Sequence, residues 1–368
     1  MKAYVLPKRN FFSRGPWGSV SHALGVIEGL TDHAKGLTVI GGEGLVATLE
    51  RAGLRHRVDP LELQAHPLAW RATLLQAVRT ETTRDGVILI RYAPRAARAL
   101  RAVSRERPVV LEVNSLLTQF GPGIRAAPLY ARLDAFALRG ISGVYAVSEF
   151  VASQIRPLVD VPIAVIPNAG PGVHRRPLPH ATDPQSDPDE PVSVVYAGGL
   201  HTYYDFPAVV SAIEALRRTG HDLVFHVHGD GPALSTIIGL ADTRPWVRVR
   251  GAYDGAMIED LLPEVTQAIA ILPPYAEGKS PIKLYDYISL GLPVVAPSTP
   301  ETRTVLGGRE PCGYLFSDRA AMATAFREAL NDGPEGRLRR ARTAQGRLVR
   351  EHTWANRMQE LVAWTKRL

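Results

Sequence analysis

The sequence predicts an α/β protein made of two doubly wound, Rossmann-like halves. Short apolar runs alternate with helix-length amphipathic segments along nearly all of the 368 residues, the pattern of parallel strands joined by helical crossovers. Apolar residues make up 45% of the chain, enough for two cores of ordinary size. A stretch rich in proline and aspartate, without apolar periodicity, interrupts the alternation at residues 175–191 and reads as a linker. The expected organisation is a first domain over 1–174, a second over 192–350 and a terminal helix over 351–368.

In the first half, strands are expected at Ala3 to Leu6, Leu37 to Ile40, His56 to Asp59, Gly86 to Ile90, Pro108 to Val113, Gly143 to Val147 and Ile163 to Ile166. A helix is expected from about Ser19 to Leu30, where Val20, Ala23, Leu24, Ile27 and Leu30 share one face. The loop before it, R-N-F-F-S-R-G-P-W-G-S-V-S-H, lies between a first strand and a first helix, where backbone can approach a phosphate or sugar closely. It is not the dinucleotide fingerprint, because G-x-G-x-x-G is absent. His22 is a polar candidate on the first helical turn and reads equally well as an ordinary helix-start histidine. Ligands of such sheets sit beyond the carboxyl ends of the strands. That rule selects Arg91 after one strand and Glu112 with Asn114 at another. Glu112 reads equally as a charge paired with a nearby arginine.

In the second half, strands are expected at Val192 to Tyr196, Leu223 to Val227, Val247 to Arg250, Ala268 to Leu272, Leu292 to Ala296 and Gly313 to Phe316. Gly198 and Gly199 follow the first of these, which suggests backbone close to a ligand phosphate. Helices are expected from about Ala320 to Leu330 and Glu335 to Val349. In the last segment Trp354, Met358, Leu361, Val362 and Trp364 recur at helical spacing and read as core.

The most informative stretch runs from Tyr275 to Pro297, Y-A-E-G-K-S-P-I-K-L-Y-D-Y-I-S-L-G-L-P-V-V-A-P. A polar turn leads into a short helix with Ser280 expected as N-cap and Pro281 at the first helical position. Gly291 is expected just past its end. A helix start offers free N–H groups and a positive dipole end to an anion, and Lys279 and Lys283 add two cations there. Asp286 shares a helix face with Lys283. A ligand with phosphates near the helix start and hydroxyls near an acid fits this pattern. A plain surface ion pair on a connecting helix fits the same spacing.

This stretch resembles the donor-binding segment of the family 4 glycosyltransferases, retaining enzymes of the GT-B fold. Gly291-Leu292-Pro293-Val294-Val295 matches the family's Gly-x-Pro-Val-Val strand, and Asp286 stands at the second acid of its acid–seven residues–acid pattern. The first acid does not align: its position holds Gly278, with Glu277 one residue early. S-P-I-K-L-Y-D-Y resembles the variant S-P-x-K-x-x-E-Y. The family also places an arginine where Gly199 stands and a lysine a few residues later, and here that cation pair is missing. The resemblance implies two Rossmann-like domains facing a central cleft, with a C-terminal helix crossing back to the first.

The function it implies is transfer of a sugar from a nucleotide-diphosphate sugar to a hydroxyl acceptor with retention, without metal or cofactor. The implied reacting or charge-stabilising residues are Lys283, Glu277 and His22. Donor contacts are implied for Gly18, Ser19, Gly198, Gly199, Lys279, Ser280, Pro281, Ile282, Asp286 and Tyr253, and acceptor or cleft contacts for Asn114, Glu112 and Arg91. A sugar-nucleotide epimerase and a non-catalytic relative that binds a nucleotide or partner are the alternatives.

Composition narrows the remainder. No stretch of about 18 apolar residues occurs, and the start, M-K-A-Y-V-L-P-K-R-N, reads as a first strand rather than a signal peptide, so a cytoplasmic protein is expected. Cys312 is the single cysteine, which excludes an intrachain disulfide and a cysteine-rich zinc site. Asp187-Pro188-Asp189 reads as a solvated turn rather than a metal site. Residues 1–170 hold 21 Lys and Arg against 13 Asp and Glu, and the rest 22 against 23. The basic half carries no nucleic-acid module signature, and peripheral contact with the inner membrane face stays open.

Overall fold

The structure is a computed structural model describing residues 1–14, 17–34, 36–81, 86–93, 103–116, 127–171, 190–252, 267–275 and 280–368. The described residues fall into two compact units. One takes the residues up to Asn168 together with Ser280 and Trp354–Leu368; the other runs from Ala169 to Tyr275 and from Pro281 to Thr353.

The first unit contains β1 (Ala3–Val5), β2 (Thr38–Gly41), β3 (Asp59–Glu62), β4 (Ile88–Arg91), β5 (Val109–Val113), β6 (Gly143–Ala146) and β7 (Ile163–Val165). They form one sheet in the order β3-β2-β1-β4-β5-β6-β7, and all neighbours are parallel. The inner strands are buried on both faces, which is why they read as continuous apolar runs. The chain winds outward from β1 to β3, then restarts on the other side at β4, so the strand order reverses between β1 and β4.

The strand expected at His56 to Asp59 is displaced. Arg55–Arg57 form a 3-10 turn and the strand is Asp59–Glu62, with Pro60 inside it. β3 pairs with β2 alone, so a residue without an N–H is tolerated at this edge. The first long helix spans Trp17–Thr31, starting two residues before the expected position.

The C-terminal helix, Trp354–Thr365, packs in this unit against Trp17–Thr31. Gly25 and Gly29 make the contact: a Cβ at Gly25 lies 2.1 Å from the Trp354 ring, and one at Gly29 lies 2.4 Å from the Trp354 carbonyl oxygen. Trp354, Met358 and Leu361 are buried, as their spacing predicts.

The second unit contains β8 (Val192–Ala197), β9 (Leu223–His228), β10 (Val247–Gly251), β11 (Ile269–Ile271), β12 (Val294–Pro297) and β13 (Tyr314–Phe316). Their order is β10-β9-β8-β11-β12-β13, all parallel. Here the order reverses between β8 and β11. One face of the sheet packs Val194, Phe225, Ile269 and Ile271 with helices Phe206–Arg217 and Arg319–Asn331. The other packs Val195, Ala197 and Val294 with helix Ile282–Ser289. Cys312 is a buried free thiol. Most of the expected linker, including Asp187-Pro188-Asp189, lies outside the described residues. Among the described residues, no helix is long and apolar enough to cross a membrane.

Candidate functional site

The two chemistry-bearing clusters lie one in each unit, both at the carboxyl ends of strands beside the reversal of strand order. In open α/β sheets that is where ligands bind.

In the second unit, three glycine turns form the surface beyond β8, β9 and β10. Gly198 has φ of 150°, and a Cβ there lies 2.7 Å from Cε and 2.8 Å from Nζ of Lys283. Its N–H donates to the His228 carbonyl (3.0 Å), Leu200 N–H to the Asp230 carbonyl (2.9 Å) and Gly229 N–H to the Gly251 carbonyl (2.7 Å). A Cβ at Gly229 lies 2.0 Å from the Gly198 carbonyl oxygen, so the turns interlock only without side chains.

Helix Ile282–Ser289 follows β11, across the reversal from Gly198. Leu284, Tyr285, Tyr287 and Ile288 are buried and fix it to the sheet. The Tyr287 hydroxyl accepts from Ala197 N–H at 2.9 Å, at the last residue of β8. Tyr285 donates to Glu301 at 2.7 Å. At the far end Gly291 has φ of 73°. Its N–H donates to the Ile288 carbonyl and Leu292 N–H to the Tyr287 carbonyl, both at 3.0 Å, a Schellman closure as expected for this glycine.

The near end differs from expectation. Pro281, with φ −78° and ψ 112°, is itself the cap residue and no side chain caps the helix. The Ser280 Oγ accepts instead from Asn168 N–H at 2.9 Å. The N–H groups of Ile282 and Lys283 therefore have no intrahelical acceptor and, among the described residues, no capping side chain.

Lys283, half-buried on the first turn of this helix, donates from Nζ to the hydroxyls of Tyr196 (2.6 Å) and Tyr204 (3.1 Å). Tyr196 in turn donates to the Gly199 carbonyl (2.6 Å), and Tyr204 shares a hydrogen bond with Tyr203. Nζ also lies 4.5 Å and 4.3 Å from the centroids of the Tyr196 and Tyr204 rings. Burial pulls the ammonium down to about 7, against a smaller opposing pull from Asp286. Asp286 is half-buried one turn further along.

The first-unit cluster is charged and closed. Glu112 is fully buried in β5. Oε2 accepts from Tyr4 Oη at 2.5 Å, and Oε1 lies 2.8 Å from His22 Nε2 and 3.1 Å from Arg91 Nη1. Burial pushes the carboxyl up, but Arg91 and His22 overcome it and hold the group at about 2. His22 is buried on helix Trp17–Thr31, and its Nδ1 lies 2.6 Å from Asn168 Oδ1. Asn168 Nδ2 donates to the Ser280 carbonyl at 2.5 Å, so its carbonyl oxygen faces the ring and accepts from His22 Nδ1.

The structure thus joins Arg91, Glu112 and His22 in one network, but as mutual partners. Glu112 Oε2 and His22 Nδ1 are hydrogen-bonded to Tyr4 and Asn168, while Glu112 Oε1, His22 Nε2 and Arg91 Nη1 face one another at ion-pair distance without an aligned hydrogen bond. Asn114, at the end of β5, is half-buried with Oδ1 unpaired. Gly18 is exposed at the start of helix Trp17–Thr31 with no atom within 4 Å of a would-be Cβ, and Ser19 is half-buried beside it. Glu277, Lys279 and Tyr253 lie outside the described residues.

Sequence reasoning missed Tyr196, Tyr204 and Asn168. Y-Y-D, standing where a basic residue is usual, is the one local signal that could have pointed to the tyrosines. Among the described residues no group of His, Cys, Asp and Glu could hold a metal ion.

Two parallel, doubly wound sheets, each with its cluster at the strand-order reversal, define the GT-B class of architecture. Residues 191–332 match the family profile described as "Glycosyl transferases group 1", so the second unit is a glycosyltransferase domain. Among solved structures, the chain is similar to Anabaena HepE, crystallised with UDP and glucose. That match has 15% identity, a TM-score of 0.73 and 100% coverage of both chains. It is also similar to sucrose-phosphate synthase from Thermosynechococcus elongatus (15% identity, TM-score 0.71, 100% of this chain and 99% of that one). A third is α,α-trehalose 6-phosphate synthase from Burkholderia multivorans (12% identity, TM-score 0.68, 100% and 98%). No curated protein matches the chain by sequence.

Proposed function

We propose that this chain is a retaining glycosyltransferase that moves a sugar from a nucleotide-diphosphate sugar to a hydroxyl acceptor. The observation that carries this is the meeting, at the β8/β11 reversal, of an uncapped helix start, the Lys283 amine and the side-chain-free Gly198-Gly199 turn. Backbone N–H groups and one cation at such a point suit a diphosphate. Similarity to a protein solved with UDP and UDP-glucose supports the same reading.

In this reading Lys283 neutralises the diphosphate as it leaves, which is where a metal-free transfer needs stabilisation. Lys279 and the N–H groups of Ile282 and Lys283 assist, with Gly198 and Gly199 admitting the phosphates to the backbone. Asp286 accepts from ribose hydroxyls, and Glu277 accepts from sugar hydroxyls. Gly18, Ser19 and Asn114 contact sugar or acceptor. The His22–Glu112–Arg91 network positions the first-unit framework and does not react.

A thermal-shift screen against UDP, GDP, ADP and dTDP sugars, without added metal, is the first test. A ligand of the folded state raises Tm by mass action. One nucleotide class is expected to raise it clearly, and the anomeric proton coupling of the transferred sugar should then show retention. No shift with any of the four, or inversion at the anomeric carbon, overturns the respective part of the reading.

A further inference from the structure

Lys283 breaks a rule of helix construction. It stands in the first turn, at the positive end of the dipole, where a cation is disfavoured and an acid is usual. That turn contains no acid. The chargeable groups around the amine are Tyr196 on β8, then His201, Tyr203, Tyr204 and Asp205 in the following loop. Tyr275 after β11 and Asp286 and Tyr287 on its own helix complete the set among the described residues. Asp205 is engaged with Arg319 at 2.5 Å. Asp286 acts on the amine without an ion-pair contact to it, so the direct partners are two neutral phenols.

Those two partners fit either form of the amine. A neutral amine has two N–H bonds, one for each hydroxyl, whereas the ammonium has a third. Loss of the proton therefore breaks neither tyrosine bond, and the third N–H exists only in the cation. Gly198 has no side chain, and a Cβ there would lie 2.8 Å from Nζ, so the turn lets the amine sit against its backbone.

We propose that Tyr196 and Tyr204 hold Lys283 as a charge-adjustable anion contact, so that a diphosphate ligand takes up one proton from solvent onto Nζ as it binds. This rests on the donor-site reading above and deepens it. The two tyrosines are positioning residues. The sign follows from linkage: a group whose affinity for protons rises on binding makes the ligand bind better at low pH. Because burial holds the free amine at about 7, affinity is retained below that pH and falls up to tenfold per unit above it.

The experiment has two arms. In the free protein, Nζ-detected NMR of the six lysines is expected to show one titration near neutrality that is absent in Lys283→Met. In Tyr204→Phe it moves down by about half a pH unit or more, because a hydroxyl stabilises ammonium better than amine. Tyr196→Phe should do the same, whereas looser packing alone would admit water and move the titration up.

In the second arm, calorimetry with UDP-, GDP-, ADP- and dTDP-glucose, in buffers of different ionisation enthalpy, measures proton uptake. These esters have no second-stage phosphate ionisation to confuse the count. Uptake approaching one proton at pH 8 and falling toward zero at pH 6 is expected. A Lys283 titration in the ordinary lysine range, an unmoved titration in both tyrosine variants, or binding without uptake at pH 8 overturns the proposal and leaves the donor reading standing. Failure of all four esters to bind at pH 6 overturns both.

Discussion

The two units carry the same sheet plan and opposite electrostatics. In the first, the Glu112 carboxylate is enclosed by Tyr4, His22 and Arg91, with the guanidinium as its counter-charge. In the second, Lys283 sits among phenols with glycine beside it. A compensated buried cluster holds its framework but has nothing left for a ligand. A cation held by neutral groups still lacks its counter-charge, and supplying that charge is what an anionic ligand can do. The contrast teaches that a titratable group near a strand end is not by itself a site; what matters is whether the protein has already satisfied it.

That contrast can be broken from either side. The largest effect is expected from Glu112→Gln, which leaves Arg91 and His22 facing each other without the carboxylate. Stability should fall by about 3–5 kcal/mol, read by urea titration. Because the Glu112 carboxyl is depressed to about 2 from 4.5, its contribution is present above pH 4.5 and is lost as pH falls toward 2. Wild type should lose stability steeply in that window, and the variant should lose less. Gly25→Ala comes next, at about 1–3 kcal/mol, since the new methyl overlaps the Trp354 ring and both helices must move apart. If its Tm equals that of wild type, the helix contact does not stabilise the first unit.

On the other side, Gly198→Ala should cost about 1–2 kcal/mol through its backbone angle, and it should also displace the Lys283 amine and weaken donor binding. Lys283→Met should leave stability nearly unchanged while weakening a nucleotide-sugar ligand about 10- to 100-fold. If Lys283→Met instead unfolds the protein, the amine is a structural cation like those around Glu112, and the contrast fails.

The sheets were legible because strands buried on both faces write themselves as apolar runs, as at Val109–Val113 and Val192–Ala197. β3 was misplaced because an edge strand tolerates Pro60, which argues against a strand when no partner is known. At the site, Gly198, Gly291 and Lys283 were legible from local turn and helix chemistry. The tyrosines were not, since Tyr196 and Tyr204 reach Lys283 across 87 and 79 residues and read in isolation as core aromatics. Asn168 was hidden for the same reason, its partners lying 146 and 112 residues away. Ser280 was expected as the cap, but the helix starts one residue later with Pro281 in extended backbone, and the partner of Ser280, Asn168, is distant in sequence.

The three glycine turns beyond β8, β9 and β10 bond to one another rather than to solvent. The amide hydrogens of Gly198, Leu200 and Gly229 should therefore exchange with deuterium at the pace of the sheet, far more slowly than those of an open loop. If the donor reading holds, its phosphates would meet turns already ordered by folding, with little further entropy lost on binding.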